Sequence, residues 1–173
     1  MELWIPITIA AALFQNIRFM LQKVLSTSSL STTGATFSRF VYSAPLVWLL
    51  LLGYAGASGQ ALPSLTPGFW GFALFGGLAQ ILATICVVAL FKHRNFAVGI
   101  TLKKTETLQS VLVGFVFLGD LISSGGFAAI LLGLGAVLLL ADRPQSEGSL
   151  IQRVWNRATG LGLASGLLFA FSA

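Results

Sequence analysis

Residues 96–120 read FAVGITLKKTETLQSVLVGFVFLGD, from Phe96 to Asp120. Both ends of this stretch are apolar, and its length suits one membrane crossing of about 20 residues. Its middle carries Lys103, Lys104 and Glu106, with Thr101, Thr105, Thr107 and Gln109 around them. Charged side chains at membrane depth are expensive unless they face a partner or a wet cavity. The stretch is therefore expected to be a helix that lines something, enclosed by other helices. At helical spacing Gly99, Lys103, Glu106 and Ser110 or Gln109 share one stripe. Lys103 and Glu106 can pair along that stripe, which lowers the cost of burying them, either as pore-lining groups or as a purely structural ion pair. Lys103 lies about 10 Å from the helix start by helical rise, too deep for simple surface exposure.

The rest of the chain supplies the enclosing helices. Of its 173 residues 56% are hydrophobic and only 9% charged, against roughly 25% charged in average soluble domains. With a mean hydropathy of +0.90, this composition points to an all-α, polytopic transmembrane bundle. Five full spans are expected, Leu3–Leu25, Gly34–Tyr54, Phe69–Phe91, Phe96–Asp120 and Leu121–Ala141, followed by a shorter sixth run. That sixth run starts at Ala158 and is still apolar at Ala173, which reads as a helix cut short. Residues 1–141 form one unit, 142–157 a polar linker, and 158–173 the start of a second unit.

The net charge is +5, but the ten Lys and Arg residues are scattered. No basic run with interleaved aromatics marks a nucleic-acid surface, so the excess is read as an orientation signal. Lys23, Lys92, Arg94, Arg143, Arg153 and Arg157 fall in the first, third and fifth connections, and the other two hold no Lys or Arg. This contrast places the linker 142–157 on the cytoplasmic side and the N-terminus outside, in a plasma or inner membrane. A single cysteine, Cys86, excludes an internal disulfide and most cysteine metal sites. The first apolar run lacks a basic start and exceeds signal length, so it reads as a retained helix.

Polar residues elsewhere in the apolar runs are the remaining site candidates. In the first span Gln15 and Asn16 lie deep, suited to interhelical hydrogen bonds or to substrate contact, while Arg18 and Lys23 are expected to snorkel. Arg39 sits about one and a half turns inside the second span, where snorkelling accounts for it as well as a functional role does, and Pro45 is expected to kink that span. In the third, Gln80 and Thr84 share a face, and Gly71, Gly76, Gly77, Ala79 and Ala83 allow close packing. Ala129, Gly133 and Ala136 offer the same in the fifth, as does Gly162-Leu-Ala-Ser-Gly166 in the sixth. His93 has no second ligand nearby in sequence and reads as a surface residue.

Several landmarks in order resemble the EamA-type family of the drug/metabolite transporter superfamily, over about Trp4 to Leu140. They are Ala35-Thr-Phe-Ser-Arg39-Phe40 at the second helix, Ala89-Leu90 and Ala97-Val-Gly99 around the third-to-fourth junction, Phe117-Leu-Gly119-Asp120, and the Gly-rich run Gly133–Leu140. The resemblance implies ten helices in two inverted five-helix repeats, with a site at the repeat interface. Family members commonly place both termini in the cytoplasm, opposite to the charge count here. They also often carry Pro in mid-fourth helix, where this chain has Lys103-Lys-Thr-Glu106-Thr107.

The function expected is therefore secondary transport of small metabolites, with the lipid bilayer as partner, a proton as coupling ion, and either a missing second repeat or a homodimer completing the carrier. Lys103 or Lys104 would hold an anionic group. Glu106 would carry the proton, because a carboxylate withdrawn from water takes one up more readily. The alternative is a non-transporting membrane subunit or an inactive fragment. A P-loop pump is disfavoured, since Lys103 stands where the motif needs Gly before Lys104-Thr105. An enzyme is not expected, and neither is a cofactor or metal, because no nucleophile–base or ligand constellation is present.

Overall fold

The computed structural model describes residues 3–62, 64–119, 121–140 and 155–172. Asp120 and most of the expected linker, through residue 154, lie outside them. Among the described residues all regular structure is helical: α1 (Trp4–Ser28), α2 (Thr32–Ser58), α3 (Pro67–His93), α4 (Phe96–Lys103), α5 (Thr105–Val113), a π-helical turn (Gly114–Leu118), α6 (Ser124–Leu140) and α7 (Arg157–Ser172).

Most helix starts are written in capping residues. Ser31, Thr66, Asn95 and Ser123 accept the backbone N–H three residues on, from Gly34, Phe69, Val98 and Gly126. Asn156 Oδ1 accepts from both Ala158 and Thr159. Each cap satisfies a donor that the first helical turn leaves open. Pro67, at the first position of α3, gives up no needed donor there. Gly59 closes α2 in the left-handed region at φ 65°, where a side chain would be strained.

Three helices, α1, α2 and α3, are long and apolar enough to cross a membrane. Their outward surfaces fit that use. α2 buries only Ala35 and Thr36, while Leu49, Leu50 and Phe72 are wide open. Exposed apolar surface on this scale marks a surface that something non-aqueous covers. The expectation of five full spans is met at these three. The fourth is segmented and the fifth shortened: Ser123 caps α6, so that helix begins at Ser124 rather than Leu121 and is 17 residues long. α2 continues through Pro45 to Ser58.

The fourth segment is interrupted at Lys104. Its N–H is shared between the Ile100 and Thr101 carbonyls, and its own carbonyl is taken by Thr107 N–H, a three-residue step. The Thr105 hydroxyl donates to the Leu102 carbonyl at 2.8 Å. Such short-range bonds tighten or bend a helix locally. A π-turn then follows and ends at Gly119, with φ 73°.

α7 is the packing hub, lying against α3 and α5 most extensively. Its buried residues, Ala158, Thr159, Gly162, Ser165, Gly166 and Ala170, recur at three- and four-residue steps. They are small, so backbones approach closely. On α3 the buried side is Ala79, Ala83, Thr84, Val87, Val88, Leu90 and Phe91. Gly71 and Gly77 have open space around them, and Gly76 merely approaches the Ser172 carbonyl; the packing expected of these glycines is carried by the two alanines. In α6, Gly133 meets Leu108, whereas Ala129 and Ala136 are exposed.

Candidate functional site

The polar residues of five helix segments converge on one cleft of about 580 Å³. α1 contributes Gln15 and Arg18, α2 Arg39, and α3 Gln80. The α4–α5 run contributes Lys103, Glu106, Thr107 and Ser110, and α7 adds Phe169 and Ser172. The Lys23 ammonium lies 5.9 Å from the Phe96 ring centroid, so the C-terminal end of α1 and the α3–α4 turn are on one side of the bundle. Counting 1.5 Å per residue inward, Arg39 and Lys103 lie about 10 Å, Arg18 about 15 Å and Gln80 about 20 Å from their helix ends. An apolar membrane core is about 30 Å thick, so in helices crossing one these positions would fall inside the core rather than at its edge.

Lys103 is 3% exposed and donates from Nζ to Glu106 Oε1. Its ammonium also faces two rings, with the Phe169 centroid at 4.7 Å and that of Phe19 at 5.3 Å. Charge pairing and two aromatic faces together offset the loss of water around the ammonium. The aromatic wall is itself anchored: Phe19 meets Phe91 edge-on at 6.1 Å, and Phe91 fills the space a side chain at Gly99 would need.

Arg39 is held differently. Its Nη1 donates to Thr84 Oγ1 at 2.9 Å, and that hydroxyl donates to the Gln80 carbonyl at 2.8 Å. Its guanidinium also lies 4.9 Å from the Phe40 ring centroid. On the α7 side the Ser172 hydroxyl is 2.8 Å from Gln80 Oε1. We expect Thr84→Val to cost about 1 kcal/mol, the net worth of an ordinary hydrogen bond, because Arg39 is only partly buried and water can replace part of the lost bond; the loss is read as a lower unfolding midpoint in detergent with fold and yield retained.

The structure thus brings together Gln15, Arg39, Gln80, Lys103 and Glu106 of the sequence candidates. Lys104, at the α4–α5 break, is exposed and does not line the cleft, and Asn16 is exposed on α1. Gln109 lies on another face: its Nε2 donates to the Leu163 carbonyl of α7 at 3.2 Å and to Thr105 Oγ1 at 3.3 Å. Ser110, not Gln109, is the residue that continues the stripe into the cleft. Arg18 corrects the sequence reading. It does not snorkel away but lines the cleft, its guanidinium 4.3 Å from the Phe19 ring centroid. Its signal was present in the sequence, because Gln15, Arg18 and Gln22 fall three and four residues apart on one face.

Charge is unbalanced here. Among the described residues Glu106 is the only carboxylate, and it shares the cleft with Arg18, Arg39 and Lys103. Chemically, the cleft offers hydrogen-bond donors and positive charge, with one carboxylate among them. No family model, curated protein or solved structure matches this chain.

Proposed function

We propose that the protein is a secondary transporter of small metabolites in the cell membrane, and that the cleft around Lys103 and Glu106 is its substrate site. The observation that carries this reading is a charged cleft lying well inside a bundle whose three long helices are apolar enough to cross a membrane. Intramembrane ionisable residues that face a cavity mark substrate or ion pathways. On this reading the α4–α5 run and α6 are the fourth and fifth crossings of an EamA-like repeat. α7 begins the next repeat, and a second repeat or a second copy closes the cleft. Glu106 carries the coupling proton. The N-terminus lies outside and residues 142–157 in the cytoplasm. The protein is a carrier, not an enzyme.

The test is flux in proteoliposomes holding the purified chain, loaded with a mixed metabolite pool and given an imposed pH gradient. Protein-dependent loss of at least one solute, steeper with the gradient, is the expected result. Absence of any protein-dependent flux would sink the carrier reading and favour a non-transporting membrane subunit.

A further inference from the structure

Arg18 and Arg39 border two spaces. Besides the polar cleft, both line a second cleft of about 630 Å³ between α1 and α2. No other residue lines both. The second cleft is walled mainly by apolar side chains, among them Phe14, Ile17, Leu21 and Leu46. Gln22 lies in the same wall. It is 6% exposed, yet neither its amide nitrogen nor its amide oxygen has a partner. Arg18 Nε is likewise buried without an acceptor. Buried polar atoms are nearly always satisfied, so unsatisfied ones call for an explanation.

We infer that this junction is the seat of an amphipathic organic anion, its carboxylate held between Arg18 and Arg39 and its apolar substituent lying in the α1–α2 cleft. This rests on the substrate-site reading above and narrows the substrate class. Three observations converge. Lys103 is paired with Glu106, so of the three cations lining the polar cleft the two arginines are the ones with no carboxylate hydrogen-bonded to them. A guanidinium presents a planar fork of donors that matches a carboxylate, and two of them fix its orientation. The apolar wall begins where the charged pair ends, and Gln22 offers an amide at the boundary, as expected for a ligand pocket that is mostly apolar with a few placed polar groups. A resting bilayer lipid fits less well, because Arg18 lies about 15 Å inside its helix end by helical rise, at acyl-chain rather than headgroup depth.

Binding, rather than flux, tests the inference separately from the carrier reading. The full chain in phosphatidylcholine nanodiscs is titrated with radiolabelled octanoate, and protein-free nanodiscs are subtracted. Saturable binding is expected, displaced by unlabelled octanoate and not by octylamine. Octanoate is expected to bind at least tenfold tighter than butyrate, since each methylene moved into an apolar cleft is worth about fourfold. Arg18→Gln and Arg39→Gln are each expected to weaken binding about 10–100-fold, the value of a charge-assisted hydrogen bond. Should either fail to fold, Leu46→Trp serves instead. Leu46 is 62% exposed, so the change fills the cleft without disturbing a packed core, and it is expected to weaken octanoate at least tenfold while sparing butyrate. Equal affinity for octanoate and butyrate, competition by octylamine, or indifference to Leu46→Trp would overturn the inference. So would loss of octanoate binding when phosphatidylglycerol is added, which would assign the seat to a bilayer lipid. Octanoate binding with no flux of any solute would leave the inference standing and remove the carrier reading; flux of polar solutes with no octanoate binding would do the reverse.

Discussion

Glu106→Gln is expected to cost about 3–5 kcal/mol of stability, the usual penalty for removing one partner of a buried ion pair, and to abolish proton-coupled flux. Glu106 is the only carboxylate among the described residues, and Lys103, almost wholly buried, donates to it. With glutamine in its place, three cations face the cleft and nothing there balances them. The ammonium of Lys103 keeps its two aromatic faces, but cation–π contacts are worth only about 0.5–2 kcal/mol. The double variant Lys103→Met with Glu106→Leu separates the structural role from the transport role. Replacing both charges by apolar groups of similar size is often neutral or better for stability, so most of the lost unfolding midpoint should return. Flux should not return, because the proton carrier is gone. Proton-driven uptake that persists in Glu106→Gln, or that recovers in the double variant, would remove Glu106 from the mechanism and leave it as a structural counter-charge.

How much of this was legible in the sequence depended on the kind of signal. The ionic pair was legible because Lys103 and Glu106 are three residues apart in an apolar setting, and a helix puts them on one face. The close packing of Gly162 and Gly166 was legible because a run of small residues has few other uses in an apolar helix. Hydropathy alone starts two helices two residues late, because caps rather than apolar runs set their ends: Ser31 puts the start of α2 at Thr32, and Thr66 with Pro67 puts that of α3 at Pro67. Arg18 was misplaced because its distance from the helix end permits snorkelling, and only the neighbouring Gln15 and Gln22 argue against it. The break at Lys104 left no composition signal at all. It follows from local geometry: the Thr101 and Thr105 hydroxyls donate to the Ala97 and Leu102 carbonyls, competing with the helix ladder, and the Thr107 N–H donates to the Lys104 carbonyl in a three-residue step. That α7 packs between α3 and α5 could not be read from pattern either, since periodicity shows which face is buried and not what buries it.

The second large effect is expected at Gly166. A Cβ there would sit 2.6 Å from Thr105 Oγ1, 3.0 Å from Gln109 Nε2 and 3.0 Å from the backbone nitrogen of Glu106. The two side chains can yield, but the backbone cannot, so Gly166→Ala must push α7 away from α5. Overpacking of this kind costs about 1–3 kcal/mol, and the displacement also stretches the bond from Gln109 to the Leu163 carbonyl. The consequence reaches the cleft, because Phe169 and Ser172 lie further along the same helix. Moving Phe169 off Lys103 lets water reach the ion pair. A drop in unfolding midpoint together with faster solvent exchange across residues 103–109 is therefore expected. Adding Thr105→Ala should recover only part of the loss, since it removes the nearest atom and leaves the Glu106 backbone in place. Gly160→Ala, on the same helix, should go the other way. Nothing lies within 4 Å of a Cβ at that position, so the change keeps only the gain in helix propensity, up to about 1 kcal/mol. If both substitutions moved the midpoint equally and in the same direction, the effect at Gly166 would be one of helix propensity, and the contact between α7 and α5 would not be what holds Phe169 against Lys103.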